Sequence, residues 1–175
     1  MARNGMKTVI LMRHADSYPT GLLGYEQERP ISVTGMLQIE QMRAAIQGLL
    51  TDLDFVLCSG MKRAKQTFQA IYSVIPARTK FMFDDFLYQI SSSSLLDKIQ
   101  WTPTIYHKIL VIGHNPGLSQ FLEEVAPGKN LKTMAICEVV VLEADVKIWQ
   151  DVSYNCLVER KRIRPTEQTT EAPQL

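Results

Sequence analysis

Apolar residues along this chain gather in short runs that stop abruptly at charge, glycine or proline. Val9-Ile10-Leu11-Met12 is unbroken and is followed at once by Arg13-His14. A run this short, without alternation, predicts a strand buried on both faces. Asp54-Phe55-Val56-Leu57-Cys58 and residues 108–112 repeat the pattern, and Lys80 to Phe83 reads as a shorter strand. Between them the spacing turns helical. With Thr34 as cap, Met36, Ile39, Met42 (or Arg43), Ile46 and Leu50 share one face of a predicted helix ending near Leu50. A second helix is expected from about Met61 to Val74, and a third capped by Ser94 and running through Trp101. A fourth opens at Pro116, a residue favoured in first turns, and closes near Pro127-Gly128. Two β-rich runs, Ala135 to Glu143 and Lys147 to Ser153, flank a turn at Ala144-Asp145-Val146 and predict an antiparallel edge. Strands alternating with helices predict a three-layer α/β/α fold with a mainly parallel central sheet.

Composition narrows the class without changing that picture. At 175 residues, 46% hydrophobic and 21% charged, the chain suits one globular domain, expected over residues 1–164. From Pro165 onward Thr, Glu, Gln and Pro offer nothing to pack, which predicts a disordered tail over 165–175. A net charge of +1 argues against a nucleic-acid binder, and no apolar run approaches the ~18 residues that span a bilayer. Cys58, Cys137 and Cys156 lie far apart and read as reduced thiols, consistent with a cytoplasmic protein.

The chemistry sits where strands end, which is where open α/β sheets place ligands. The first strand delivers Arg13 and His14. The second runs into Ser59-Gly60 and puts Arg63 in the first turn of the next helix, where a cation opposes the helix dipole and is better tolerated against an anion. The fourth ends in Gly113-His114-Asn115-Pro116-Gly117, a turn whose glycines admit a ligand and whose helix offers free N–H groups. Arg29, on the long loop 15–33, is a further guanidinium. Phosphoryl transfer needs an in-line nucleophile and positive charge spread over the equatorial oxygens. His14 is the candidate nucleophile, kept neutral by neighbouring arginines. His114 is a candidate donor to a phosphoryl oxygen, and Arg13, Arg63 and Arg29 can grip phosphate through their planar forks. His107 lacks such a setting and reads as a structural or surface residue.

These segments carry a resemblance. Leu11-Met12-Arg13-His14-Ala15-Asp16 resembles the R-H-G or R-H-A signature of the histidine phosphatase superfamily, which includes the phosphoglycerate mutases. Ser59 through Thr67 is similar to its S-x-x-x-R-A-x-Q-T segment, and Gly113 through Gly117 to its second-histidine motif. Arg29-Pro30-Ile31-Ser32 through Gly35 resembles the R-P-L-T-x-x-G stretch of the small SixA-type phosphohistidine phosphatases. Order and spacing agree over roughly residues 7–153. The resemblance implies a phosphoglycerate mutase-like fold and transient phosphorylation of His14. It also implies a pocket of Arg13, Arg63 and His114 supplemented by Arg29, and no metal or organic cofactor. Ser59 and Asn115 join Arg29 as expected substrate-binding residues.

The leaving group is less determined. Asp84, Asp85 and Asp16 are the candidate general acids; Asp85, before Phe86-Leu87-Tyr88, is the nearest match, with a surface aspartate as the competing reading. Without an acid, a P–N bond that releases imidazole is the easier target than an alkyl phosphate. The short stretch 84–107 leaves little room for a lid, so an open pocket for a side chain displayed on a phosphorylated protein is expected, and mutase activity is not. The alternatives are a phosphatase for a small phosphorylated metabolite and a catalytically silent phospho-binding module. A basic cluster at residues 159–164 is an additional candidate anion surface, weighed against a solvated edge.

Overall fold

The computed structural model describes residues 5–21, 24–125 and 133–166. The unbroken apolar runs form the centre of a six-stranded sheet because they can be covered on both faces. In chain order the elements are β1 (Lys7–Arg13), α1 (Val33–Ile46), β2 (Phe55–Ser59), α2 (Lys62–Ile71), β3 (Lys80–Asp84), α3 (Ser92–Gln100), β4 (Lys108–Gly113), α4 (Gly117–Val125), β5 (Val139–Ala144) and β6 (Val158–Ile163). The strands lie in the order β3-β2-β4-β1-β5-β6. The first four are parallel; β5 runs antiparallel to β1, and β6 antiparallel to β5.

Alternate residues of each central strand feed two cores. Ile10, Met12, Val56, Cys58, Leu110 and Ile112 pack with Ile39, Met42 and Ile46 of α1 and Ala64, Phe68 and Ile71 of α2. Val9, Leu11, Leu57, Ile109 and Val111 face the other way, onto Leu95 and Ile99 of α3 and Leu118, Phe121 and Leu122 of α4. The three-layer α/β/α architecture with its mainly parallel sheet is therefore the observed one. Among the described residues, no helix is long and apolar enough to cross a membrane.

Several local expectations are corrected. Helix α1 is capped by Ser32, not Thr34: the Ser32 hydroxyl accepts from Gly35 N at 3.0 Å and also donates to the Asp16 carboxylate. Tertiary placement decides this, because α1 presses on the loop after β1 so closely that a Cβ at Gly35 would lie 2.2 Å from Asp16 O. Ser91 rather than Ser94 caps α3, its hydroxyl accepting from Ser94 N at 3.1 Å. Four serines in a row are equivalent by type, and packing chooses among them. Helix α1 stops at Ile46 and α2 at Ile71, each followed by a single 3-10 turn. The closure near Pro127-Gly128 lies outside the described residues, as does the tail from 167 onward.

The antiparallel edge is where the pattern misleads most. Residues 147–153 are not a strand; Trp149–Asp151 forms a 3-10 turn that drives Trp149 fully into the core, its indole Nε1 donating to Tyr106 O at 2.8 Å. Strand β5 begins only at Val139, after Cys137 takes a positive φ of 59° that breaks an extended run. The partner of β5 is the charged segment 158–163. Arg162 bonds both Glu138, at 3.1 Å, and Glu159, at 2.8 Å; Arg164 reaches Glu138 at 2.8 Å and Arg160 reaches Glu143 at 3.2 Å. These pairs engage three of the cluster's four basic side chains within the protein, which weakens its reading as an anion surface.

Candidate active site

The carboxyl ends of β1, β2 and β4 meet at one side of the sheet. Register puts Arg13 beside Gly113, and His14 N donates to Gly113 O at 3.2 Å. The His14 and His114 rings consequently stand 4.8 Å apart. Arg63, one residue into α2, reaches over so that its Nε lies 3.2 Å from His14 Nε2. Thr67, one turn later and fully buried, accepts from Ala15 N at 3.1 Å and donates to Arg63 O at 2.7 Å, tying α2 to the end of β1. Arg13, His14, Arg29, Arg63, His114 and Asn115 all line one cavity of about 260 Å3.

Two bonds assign the protons of His14. Its Nδ1 lies 2.7 Å from Ala15 O, which can only accept, so Nδ1 carries the hydrogen. Its Nε2 faces the Arg63 guanidinium, which can only donate, so Nε2 keeps its lone pair. Burial lowers the His14 pKa to about 4; the Ala15 carbonyl opposes this, while the charges of Arg63, Arg13 and Arg29 add to it. The ring is neutral at physiological pH, as a nucleophile must be.

His114 is 3% exposed and contacts the Ser59 hydroxyl through Nε2 at 2.8 Å. Burial first, then His14, Arg63 and Arg13, hold its pKa down to about 2. Its Nδ1 and the Nε of Arg13 are buried and have no hydrogen-bond partner among the described residues. Such atoms are costly unless a ligand meets them. Both belong to residues that line the cavity.

Not every expected residue fills its expected place. Ser59 is fully buried and does not line the cavity: its Oγ holds His114 and accepts from Met61 N at 3.3 Å, which makes it a positioning residue. Asn115 lines the cavity, but its amide is spent on the loop, donating to Met134 O at 2.8 Å and accepting from Ser119 Oγ at 2.7 Å. Arg29 also lines it, yet its nitrogens donate to Tyr18 O, Glu26 Oε1 and Ser17 Oγ at 2.7, 2.9 and 3.0 Å. Asp85 is exposed and outside the cavity; its carboxylate covers Gly60, where a Cβ would lie 1.6 Å from Asp85 Oδ1. Asp84 pairs with Lys98 at 2.5 Å, and Asp16 lines the cavity while accepting from Ser32.

Glu26 and Tyr88 are among the lining residues that escape a sequence reading. Glu26 is bonded by Arg29 Nη1 at 2.9 Å and Arg63 Nη2 at 3.1 Å, and its backbone carbonyl accepts from Arg63 Nη1 at 3.0 Å. Burial pushes its carboxyl up, but bonds from Thr20 and Arg29 and the charges of Arg29 and Arg63 outweigh this and leave it below the usual range. Its spacing of three from Arg29 was the available signal. Tyr88 presents its ring edge to His114 at 5.3 Å, and the Arg63 guanidinium lies 5.4 Å from the ring centre.

Comparison with known proteins places this geometry. Residues 9–85 match the family model described as "Histidine phosphatase superfamily (branch 1)". An uncharacterized protein of Mycobacterium tuberculosis is 30% identical over 109 residues; the match spans 62% of this chain and 65% of that protein. The structure assigned as phosphohistidine phosphatase SixA of Nakamurella multipartitia superposes with a TM-score of 0.79 at 23% identity, covering 93% of this chain and 98% of the other. The protein histidine phosphatase SixA complexed with tungstate gives 0.75 at 20% identity, covering 90% and 97%. At these identities the structural likeness is one of fold. Residues 9–85 are thus similar to the histidine phosphatase superfamily, and the three-layer architecture is shared with the SixA structures.

Proposed function

We propose that residues 1–164 form a phosphatase domain that works through a covalent phosphohistidine on His14, with phosphohistidine on a protein as its substrate class. The observation that carries this reading is the assigned tautomer of His14: a neutral imidazole whose lone-pair nitrogen meets a guanidinium at 3.2 Å. In the first step His14 Nε2 attacks phosphorus, the new N–P bond forms, and the bond to the leaving group breaks. Arg13, Arg63 and His114 take the charge on the equatorial oxygens. In the second step water attacks phosphorus, the N–P bond breaks, inorganic phosphate leaves, and His14 returns neutral. Arg29 shapes the loop and holds Glu26.

The carboxylates support this substrate class. Asp85 is outside the cavity, Asp16 is engaged by Ser32, and Glu26 is ion-paired and shifted away from holding a proton. A site in which none of these carboxylates is a ready acid favours substrates whose leaving group departs with little help, such as imidazole or a phenol. Incubation with labelled phosphohistidine peptide is expected to leave acid-labile label on the wild type and none on His14→Ala. A hydrolysis panel is expected to rank phosphohistidine and aryl phosphates above phosphoserine and sugar phosphates. Labelling that survives the substitution overturns the nucleophile, and efficient turnover of a sugar phosphate favours the small-metabolite reading.

A further inference from the structure

Strand β3 ends the sheet, with β2 on one side and no strand on the other among the described residues. Edge strands are ordinarily blunted by charge, proline or a covering element, because their free backbone groups recruit other strands. Here Phe81, Met82 and Phe83 are 47%, 50% and 40% exposed, and Phe86, just beyond, is 81% exposed. The aromatic rings form one patch: Phe81 and Phe83 lie 5.6 Å apart, both packed on Phe68, and Tyr72 stands 6.4 Å from Phe81. Large contiguous apolar surface of this kind marks an interaction site.

The strand's own sequence says what covers it. In Lys80-Phe81-Met82-Phe83-Asp84, antiparallel pairing of two copies about Met82 sets Lys80 opposite Asp84 of the second copy, Phe81 opposite Phe83, and Met82 opposite itself. Each pairing is favourable across an antiparallel ladder. Parallel pairing would stack lysine on lysine and aspartate on aspartate. A shift of two residues in either direction sets a charged residue opposite Met82 and removes both Lys80–Asp84 pairs. Asp84 already receives Lys98 Nζ at 2.5 Å and Phe86 N at 2.9 Å, but a carboxylate has about four lone-pair positions and can take a second cation.

We propose that β3 is an isologous dimerisation edge, joining two copies of this chain through an antiparallel β3–β3 pair into a continuous sheet. Strand β3 leads into the 3-10 turn Asp85–Gln89, whose Tyr88 lines the cavity. The interface is separate from the catalytic groups and does not depend on the substrate reading.

Sedimentation equilibrium of the wild type across micromolar concentrations is expected to show a monomer–dimer equilibrium. Met82→Lys, which sets two ammonium groups on the axis, is expected to give monomer with aryl-phosphate turnover retained. Met82→Cys is expected to form a disulfide-linked dimer under mild oxidation. Lys80→Cys is not, because residues 80 of the two copies lie ~13 Å apart in this register. A wild type that stays monomeric overturns the proposal and leaves the patch to a different protein. A dimer indifferent to Met82→Lys, or equal cross-linking at positions 80 and 82, overturns it as well.

Discussion

Acidification tests the burial of His14 directly. In the folded protein its pKa is lowered to about 4, whereas the unfolded chain titrates near the ordinary 6.5. Above pH 6.5 the imidazole is neutral in both states and the full stability is present. Between 6.5 and 4 the unfolded chain binds a proton that the folded protein cannot, so stability falls as pH falls. Each unit of pKa difference corresponds to about 1.4 kcal/mol, so His14 alone accounts for a loss of about 3 kcal/mol across that window. His14→Asn removes this proton-linked loss. It also relieves His114, whose pKa is depressed partly by His14, and this acts in the same direction. Urea unfolding followed by far-UV circular dichroism, repeated between pH 7 and 4.5, should show the variant losing less stability than the wild type, by about 2.5 kcal/mol at the acid end. Superimposable pH dependences would mean that His14 is solvated, and the assignment of a neutral nucleophile held by burial and three arginines would fail.

Other expectations follow from single contacts. Ser59→Ala strands His114 Nε2 without its 2.8 Å partner, a buried loss of about 1–3 kcal/mol. Aryl-phosphate kcat should therefore drop by roughly 5- to 150-fold, with KM less affected; unchanged kcat would remove Ser59 from the positioning of His114. Glu26→Gln takes away the carboxylate that occupies Arg29 and Arg63, so inorganic phosphate should inhibit more tightly by roughly two- to fivefold. Weaker inhibition by phosphate would show that Glu26 instead orders the guanidinium groups for the anion.

How much of the site could be read in advance depended on whether a residue acts from a strand end or from a loop. Arg13, His14 and His114 leave their strands at the same edge, and parallel register brings them together without further choice. Arg63 follows because it lies in the first turn after β2. Glu26 and Tyr88 reach the cavity from segments with no periodicity; the spacing of three between Glu26 and Arg29 was a signal for the first, and nothing in the pattern marked the second. Ser59 shows the converse: its position at a strand end marked it, but the side chain faces inward to His114. In the edge region, hydrophobicity chose residues 147–153 over 158–163. A strand stabilised by arginine–glutamate pairs has no apolar signature, and a turn that buries a tryptophan does.

The alternation of unbroken apolar runs with amphipathic segments was enough to determine the layered sheet, since only strands covered on both faces tolerate such runs. It also determined which histidines and arginines stand at the chemical edge. The tertiary structure alone decided which of those groups still have donors to give. Contacts across the fold commit Arg29, Asn115 and Ser59 to the protein, leave His114 Nδ1 and Arg13 Nε without partners among the described residues, and bring the Arg63 guanidinium to His14 Nε2. Polar satisfaction is a property of three-dimensional neighbours, and no one-dimensional pattern encodes it.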